Sequence, residues 1–424
     1  LPASDSQREA ARHRRPPYPV FERAAYVLFL VLLVWAPWPL GSNRTWAWSI
    51  LCSGIFLALG LWVAGWLRGE VRRYGVLRDA WPALAVFVLW IGYTALHWLP
   101  LPAALVGALS PEAAAVHGLA QAYAGERAGW LTLSIDPDAS YSFWLRSCAF
   151  GAAFLLTLVL ANTRERARGI AIALVFAGLA QAVYASLMHL TGTDLEIFGA
   201  LIPHSGQASG GFVNRNHLAG FLEMTLALGI GLMIGSLEDS RPRNWKRFWR
   251  DLADLLLSPK APLRLFLVAM VIALVMTRSR MGNSAFFSSL LIAGAIALVL
   301  SRHATRSTMI LITSLIVVDI FIVGTWFGVE QTLERIEQTT VGDVEKRQDP
   351  SYYALGMWGD YPLFGAGAGS FYTAFTRYRG GDIEGYYNHA ENDYAQFLVE
   401  VGALGAGLVG LLPLMALICA VLAL

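Results

Sequence analysis

Charge is what this 424-residue sequence has least of: 15% of its residues are Asp, Glu, Lys or Arg, against 56% hydrophobic. Soluble domains carry about 25% charged residues, so a freely soluble globular protein is excluded and lipid is the expected solvent for most of the chain. The mean hydropathy of +0.50 agrees. Cysteine is nearly missing as well. Cys52, Cys148 and Cys419 each fall inside an apolar run; they have neither metal-ligand spacing nor the pattern of an extracellular disulfide framework, and read as small apolar residues. No repeat of fixed period and no low-complexity tract is present, which argues against a repeat array. The formal net charge is only +2, and no nucleic-acid partner is expected. Nor is a cleavable signal peptide, because the first apolar run follows a basic, proline-containing segment and is long enough to span. That segment, 1–23, reads as a cytoplasmic tail.

What the sequence has instead is long apolar runs. A hydrocarbon core of roughly 30 Å needs about 20 mostly apolar helical residues. By that measure ten spans are expected, near 24–41, 46–67, 81–99, 144–161, 169–190, 216–236, 263–280, 284–301, 308–327 and 402–424, with room for up to twelve. The connections alternate in character. The tail and the segments "RGEVRRYGVLRD", "NTRERARG", "EDSRPRNWKRFWRDLADLLLSPKAPLR" and "SRHATRS" hold 21 of the 32 Lys and Arg, which places them in the cytoplasm. The other set is aromatic and poor in basic residues and faces outward: "GSNRTW", a long segment after the third span, "TGTDLEIFGALIPHSGQASGGFVNR", a tight turn near Gly282 and the loop 328–401. A loop of that length is functional or disordered, and its Tyr, Trp, Gly and Pro content favours a folded element. The fold class is therefore all-α: a polytopic helical membrane protein of about ten transmembrane helices, 24–424 forming one domain with a large folded outer loop.

With so few cations left for the outward side, each invites a question. Arg215 sits in "GGFVNRNHLAGFLEM" and Arg278 and Arg280 sit in "MTRSRMGN", at the outer ends of the sixth and seventh spans. Snorkelling, or an ion pair with Glu223, is the bland reading of an arginine at such a boundary. In the outer loop, Arg347 precedes an aromatic, helical-looking stretch. "PLFGAGAGSF" then follows. Without a preceding strand or a Walker lysine its glycines are weak as a nucleotide loop and serve a sharp turn with close packing. "HAENDYAQFLVEVG" reads as a short amphipathic helix with Gly402 as a bend, and it opens on His389 and Glu391. Guanidinium forks suit phosphate oxygens, and a histidine beside a carboxylate accepts a proton near neutrality. Together they suggest a lipid-linked phosphate substrate. "DPD" at Asp136 is the weak trace of a metal motif, with no second acidic cluster in its loop.

"GGFVNRNHLAGFLEM", "TRSRMGN" and "PLFGAGAGSF" followed by "HAENDYAQFLVEVGALG" resemble the O-antigen ligase and O-antigen polymerase superfamily, bacterial inner-membrane glycosyltransferases of the GT-C kind. The resemblance covers roughly 170–415. It implies transfer of a glycan from undecaprenyl diphosphate on the periplasmic side, without nucleotide, metal or other cofactor. Among the family's residues, the first arginine falls on Arg215, the second on Arg278 or Arg280, and the loop histidine on His389. Many relatives read H-x-H-N here, whereas this sequence has Glu391 in place of the second histidine. That favours His389 as base with Glu391 orienting it, and leaves Glu391 as the alternative base.

Two acceptors fit the resemblance: lipid A-core for a ligase, or a second undecaprenyl-linked repeat for a polymerase. The ligase is the preferred reading. A glycolipid flippase is the reading from another class; carriers tend to show internal repeats, broken helices and polar groups near the midplane, whereas the acids read as lying well inside spans are Glu223 and Asp319 and the polar weight is at the outer face. The topology is directly testable. With an even span count, both ends lie in the cytoplasm and 328–401 in the periplasm, so a cysteine at Asp382 should label from outside in spheroplasts and one at Asn244 should not. The reverse pattern would overturn the outward placement of the site.

Overall fold

The computed structural model describes residues 19–70, 75–125, 128–192, 196–197, 200–201, 208–235, 261–300, 341–381 and 387–423. Fourteen α-helices dominate: α1 Val20–Trp35, α2 Thr45–Leu67, α3 Val76–Asp79, α4 Trp81–Trp98, α5 Ala103–Leu109, α6 Pro111–Ala124, α7 Pro137–Leu160, α8 Arg164–Thr191, α9 Arg215–Ile234, α10 Ala261–Met276, α11 Arg280–Leu300, α12 Val341–Asp360, α13 Phe371–Phe375 and α14 Asp393–Ala423. Among the described residues there are also a short 3-10 helix, Leu40–Ser42, and two antiparallel two-residue ribbons, Leu101–Pro102 with Trp130–Leu131 and Glu196–Ile197 with Ala200–Leu201. Nine of the ten expected spans fall on helices, and 308–327 lies outside the described residues. Among the described residues six helices are long and apolar enough to cross a bilayer: α2, α4, α7, α8, α9 and α14. The chain is an all-α polytopic membrane protein.

The chain divides into two compact units. The first comprises Leu1–Tyr74 with Leu156–Glu330, the second Gly75–Leu155 with Gln331–Ala423. In the first, α8 packs against α9 and α10, and α9 against α10 and α11. Leu218, Leu222, Leu226, Met270 and Leu274 fill its centre. Lipid removes most of the hydrophobic drive for helices to associate, so close approach at small residues matters more. Gly178 lies under Thr225 and Met270, and Gly229 under Leu267. At the start of α1, the buried Glu22 carboxylate accepts from Asn162 and Arg166, and Tyr26 donates to the Arg166 carbonyl.

In the second unit, α14 packs against α4 and α12, over a core of Leu133, Met357, Phe371, Phe375 and Val399. α14 is two helices in one. At Gly402 the backbone leaves helical geometry (φ 64°, ψ −178°), as the bend expected there. A break strands backbone groups on both sides, and here five of those adjoining it find partners. Val399 and Glu400 carbonyls accept from Ala366 and Gly367 at 2.9 and 3.0 Å, and the Val401 carbonyl accepts from the Tyr93 hydroxyl. Ala403 and Leu404 amides donate to Pro362 and Leu363 at 2.9 and 3.2 Å.

Gly402 adopts a backbone region open essentially to glycine, and a Cβ there would meet the Leu363 carbonyl oxygen at 2.2 Å. Gly402→Ala should therefore lower the unfolding midpoint in detergent, with strain on the order of 1–3 kcal/mol before the clash is counted. Gly356, exposed in α12 with open space at its Cβ position, should respond in the opposite sense, Gly356→Ala gaining about 0.5–1 kcal/mol. Equal effects from the two changes would show that the break carries no strain constraint.

Candidate functional site

The glycine run of "PLFGAGAGSF" packs tightly in the second unit. Gly365, Gly367 and Gly369 all have positive φ, and a Cβ on Gly367 would fall 1.9 Å from the Ser134 hydroxyl. This is the sharp turn and close packing expected of the run. Three buried side chains hold it. His97 Nδ1 accepts from the Ala368 amide at 2.9 Å, while the Ser140 hydroxyl donates to the Ala368 carbonyl at 2.8 Å. Glu400, 3% exposed, accepts from the Gly369 amide at Oε2 (3.0 Å) and from the Phe371 amide at Oε1 (3.2 Å).

Glu400 also reaches the start of α14. Asn392 caps that helix, its Oδ1 accepting from the Tyr394 and Ala395 amides at 3.1 and 3.2 Å. One turn further, Gln396 donates from Nε2 to Glu400 Oε1 at 3.1 Å. Gln396 Oε1 faces His389 Nδ1 at 3.2 Å and accepts from the Ala390 amide at 3.3 Å. His389 is exposed, as is Glu391 two residues on. Ser351 of α12 donates to the Ala390 carbonyl at 2.9 Å, so α12 lies beside this segment, and Arg347 stands one turn before Ser351. Three expected site residues, His389, Glu391 and Arg347, thus belong to one neighbourhood of the second unit.

The other three belong to the first. α9 starts at Arg215, with Asn214 accepting from the Asn216 amide at 2.8 Å. The preceding Gly211 amide is held by the buried Gln181 at 2.8 Å. The turn expected near Gly282 occurs three to five residues earlier. Thr277 accepts from the Ser279 amide (3.1 Å), Ser279 caps α11 by accepting from the Gly282 amide (3.1 Å), and Arg278 between them is left-handed with φ 51°. Glycine at 282 is needed for packing: its Cβ position is 2.6 Å from the Ala219 Cβ. The starts of α9 and α11 are thereby brought together, with Arg215, Arg278 and Arg280 on the adjoining backbone. Helix N-termini favour anions, so this end of the unit suits a phosphate.

Asp136 is spent on structure, its carboxylate accepting from the Ala139 amide at 3.0 Å and the Thr373 hydroxyl at 2.6 Å. Arg377 pairs with Glu112. Burial, then the hydrogen bond to Asp360, holds the proton on the Tyr378 phenol, raising its pKa. Glu400, Gln396, His97 and Gln181 were not singled out from the sequence. The last span expected at 402–424 leaves Glu400 outside it, and the signal the sequence carries is an acid four residues after a glutamine and two before a glycine.

The helices define a multi-pass α-helical membrane protein. Residues 265–410 match the family model described as O-antigen ligase (Wzy_C), about a third of the chain. The matched segment contains Arg278, Arg280, Arg347, His389 and Glu391, with Arg215 upstream. No curated protein and no solved structure gave a significant match.

Of the four non-glycine residues with positive φ among the described residues, two are Arg278 and Glu391. Such backbone strain, on the order of 1 kcal/mol, persists where the surroundings impose it. Glycine suits a left-handed position better than arginine does. Arg278→Gly should therefore leave the unfolding midpoint unchanged or raised, while glycan transfer falls ~10²–10³-fold through loss of a charge-stabilising donor. Full activity in that variant would remove Arg278 from the site.

Proposed function

We propose that the protein is an O-antigen ligase, moving a glycan from undecaprenyl diphosphate to lipid A-core oligosaccharide at the periplasmic face of the bacterial inner membrane. The observation that carries this reading is the O-antigen ligase match over 265–410, which contains five of the six residues expected to do the chemistry. Observations made on each unit by itself support it. Arg215 and Arg278 stand at two adjoining helix starts, where fixed positive charge meets the negative charge that grows on the leaving diphosphate. The forked guanidinium holds phosphate oxygens in pairs, and Arg280 and Arg347 belong to the same proposed set. His389 is the general base. It takes the proton of the acceptor hydroxyl as that oxygen attacks the anomeric carbon, the bond from this carbon to the diphosphate breaks, and undecaprenyl diphosphate departs. Glu391 is the alternative base.

Arg215→Lys keeps the charge but loses the fork and should stay clearly impaired, within the ~10²–10³-fold expected for one lost donor. A positioned base contributes typically ~10²–10⁴-fold. His389→Ala should lose that factor, and with it the acidic limb of the pH–rate profile, at unchanged protein level and donor binding. An active His389→Ala beside a dead Glu391→Gln would assign the base to Glu391. Deleting the gene and running a lipopolysaccharide gel tests the acceptor: uncapped core with polymer accumulated on carrier lipid supports the ligase, and core bearing one repeat supports a polymerase instead.

A further inference from the structure

Gln396 stands between the His389 ring and the buried Glu400 carboxyl, and its two amide atoms are told apart by what surrounds them. Oε1 faces the Ala390 N–H at 3.3 Å, a group that only donates. Nε2 faces Glu400 Oε1 at 3.1 Å, an oxygen already accepting the Phe371 N–H. These neighbours allow one amide orientation, with the oxygen toward His389. The 3.2 Å contact at His389 Nδ1 then requires the proton on Nδ1. A neutral imidazole has a single N–H, so the lone pair is on Nε2, on a ring exposed at the surface.

We infer that Gln396, anchored by Glu400, is a positioning residue that fixes His389 in its Nδ1–H tautomer and leaves Nε2 to accept the acceptor-hydroxyl proton. This rests on the reading of His389 as the base. The same residue pair ties the ring to the glycine run, because Glu400 also takes the Gly369 and Phe371 amides. Other charged groups near the ring are Glu391 and Asp393 on its own segment and the buried Glu400, while α12 meets this segment where Ser351 donates to the Ala390 carbonyl.

The test has a sign that a purely structural role lacks. An acceptor on Nδ1–H stabilises the imidazolium, so removing it moves the acidic limb to lower pH and a stronger, anionic acceptor moves it to higher pH. The full chain in detergent is assayed for transfer from a synthetic undecaprenyl-diphosphate-linked glycan to core lipopolysaccharide, between about pH 5 and pH 9, the range in which imidazole titrates. Gln396→Leu should lower kcat roughly 10–10²-fold, as for a misaligned catalytic group, with the donor KM unchanged and the limb at lower pH. Gln396→Glu should keep more activity and shift the limb upward. Should the leucine variant fail to accumulate, the upward shift in Gln396→Glu decides alone. Limbs that stay in place, or move the same way in both variants, overturn the positioning role. If His389→Ala removes the limb while the Gln396 variants leave it untouched, the base reading stands and only this inference falls; if His389→Ala retains the limb, the base reading itself fails.

Discussion

A helix broken at Gly402 is the constraint on which the second unit is built. In lipid an unpaired backbone amide or carbonyl is expensive, and irregular backbone survives only where protein groups satisfy it. The carbonyls of residues 399–401 and the amides of 403 and 404 are satisfied by the 362–367 segment and by Tyr93. Its backbone comes so close only where a side chain is missing: a Cβ on Gly365 would meet the Glu400 carbonyl oxygen at 2.3 Å, and Gly365, Gly367 and the following Gly369 all have positive φ. Once it lies there, its own amides need acceptors. His97 and Glu400 supply them from inside. Glu400 in turn has a lone pair to offer Gln396, and Gln396 an oxygen to offer His389. The order runs from a backbone requirement to a side-chain orientation.

The arginine-bearing end of the first unit obeys a related rule with other means. Its helix ends are closed by short polar side chains, Asn214 before α9 and Thr277 and Ser279 around Arg278. Each cap is worth about 1 kcal/mol, and together they turn the chain within three residues between α10 and α11. A turn that tight leaves Arg278 left-handed. The small pair Ala219 and Gly282 then lets the two helix starts approach.

The sequence made the helical class legible because apolar runs of bilayer length have few other uses. Arg215, Arg278 and the 389–391 segment were legible as scarce polar groups at span ends, and Gly402 as a bend. The α10–α11 turn, expected near Gly282, comes three to five residues earlier because Thr277 and Ser279 cap it, while Gly282 packs against Ala219. Glu400 and Gln396 escaped for a different reason. Their roles depend on amides of residues 369 and 371, some thirty positions away, and no periodicity announces a side chain whose partner is remote backbone.

The departure from the H-x-H-N pattern bears on which group takes the proton. Glu391 is exposed and left-handed beside the Asn392 cap, so the backbone there is set by the cap and turn whatever side chain occupies the position. An imidazole has two distinct ring nitrogens, so one can be held by a partner while the other takes a proton. A base must also be oriented. Of the two residues, His389 has a hydrogen-bonded partner anchored to a buried group. The substitution at 391 is therefore compatible with retained base chemistry provided the histidine two residues earlier takes the duty, and the Gln396–Glu400 pair supplies the orientation that this duty demands.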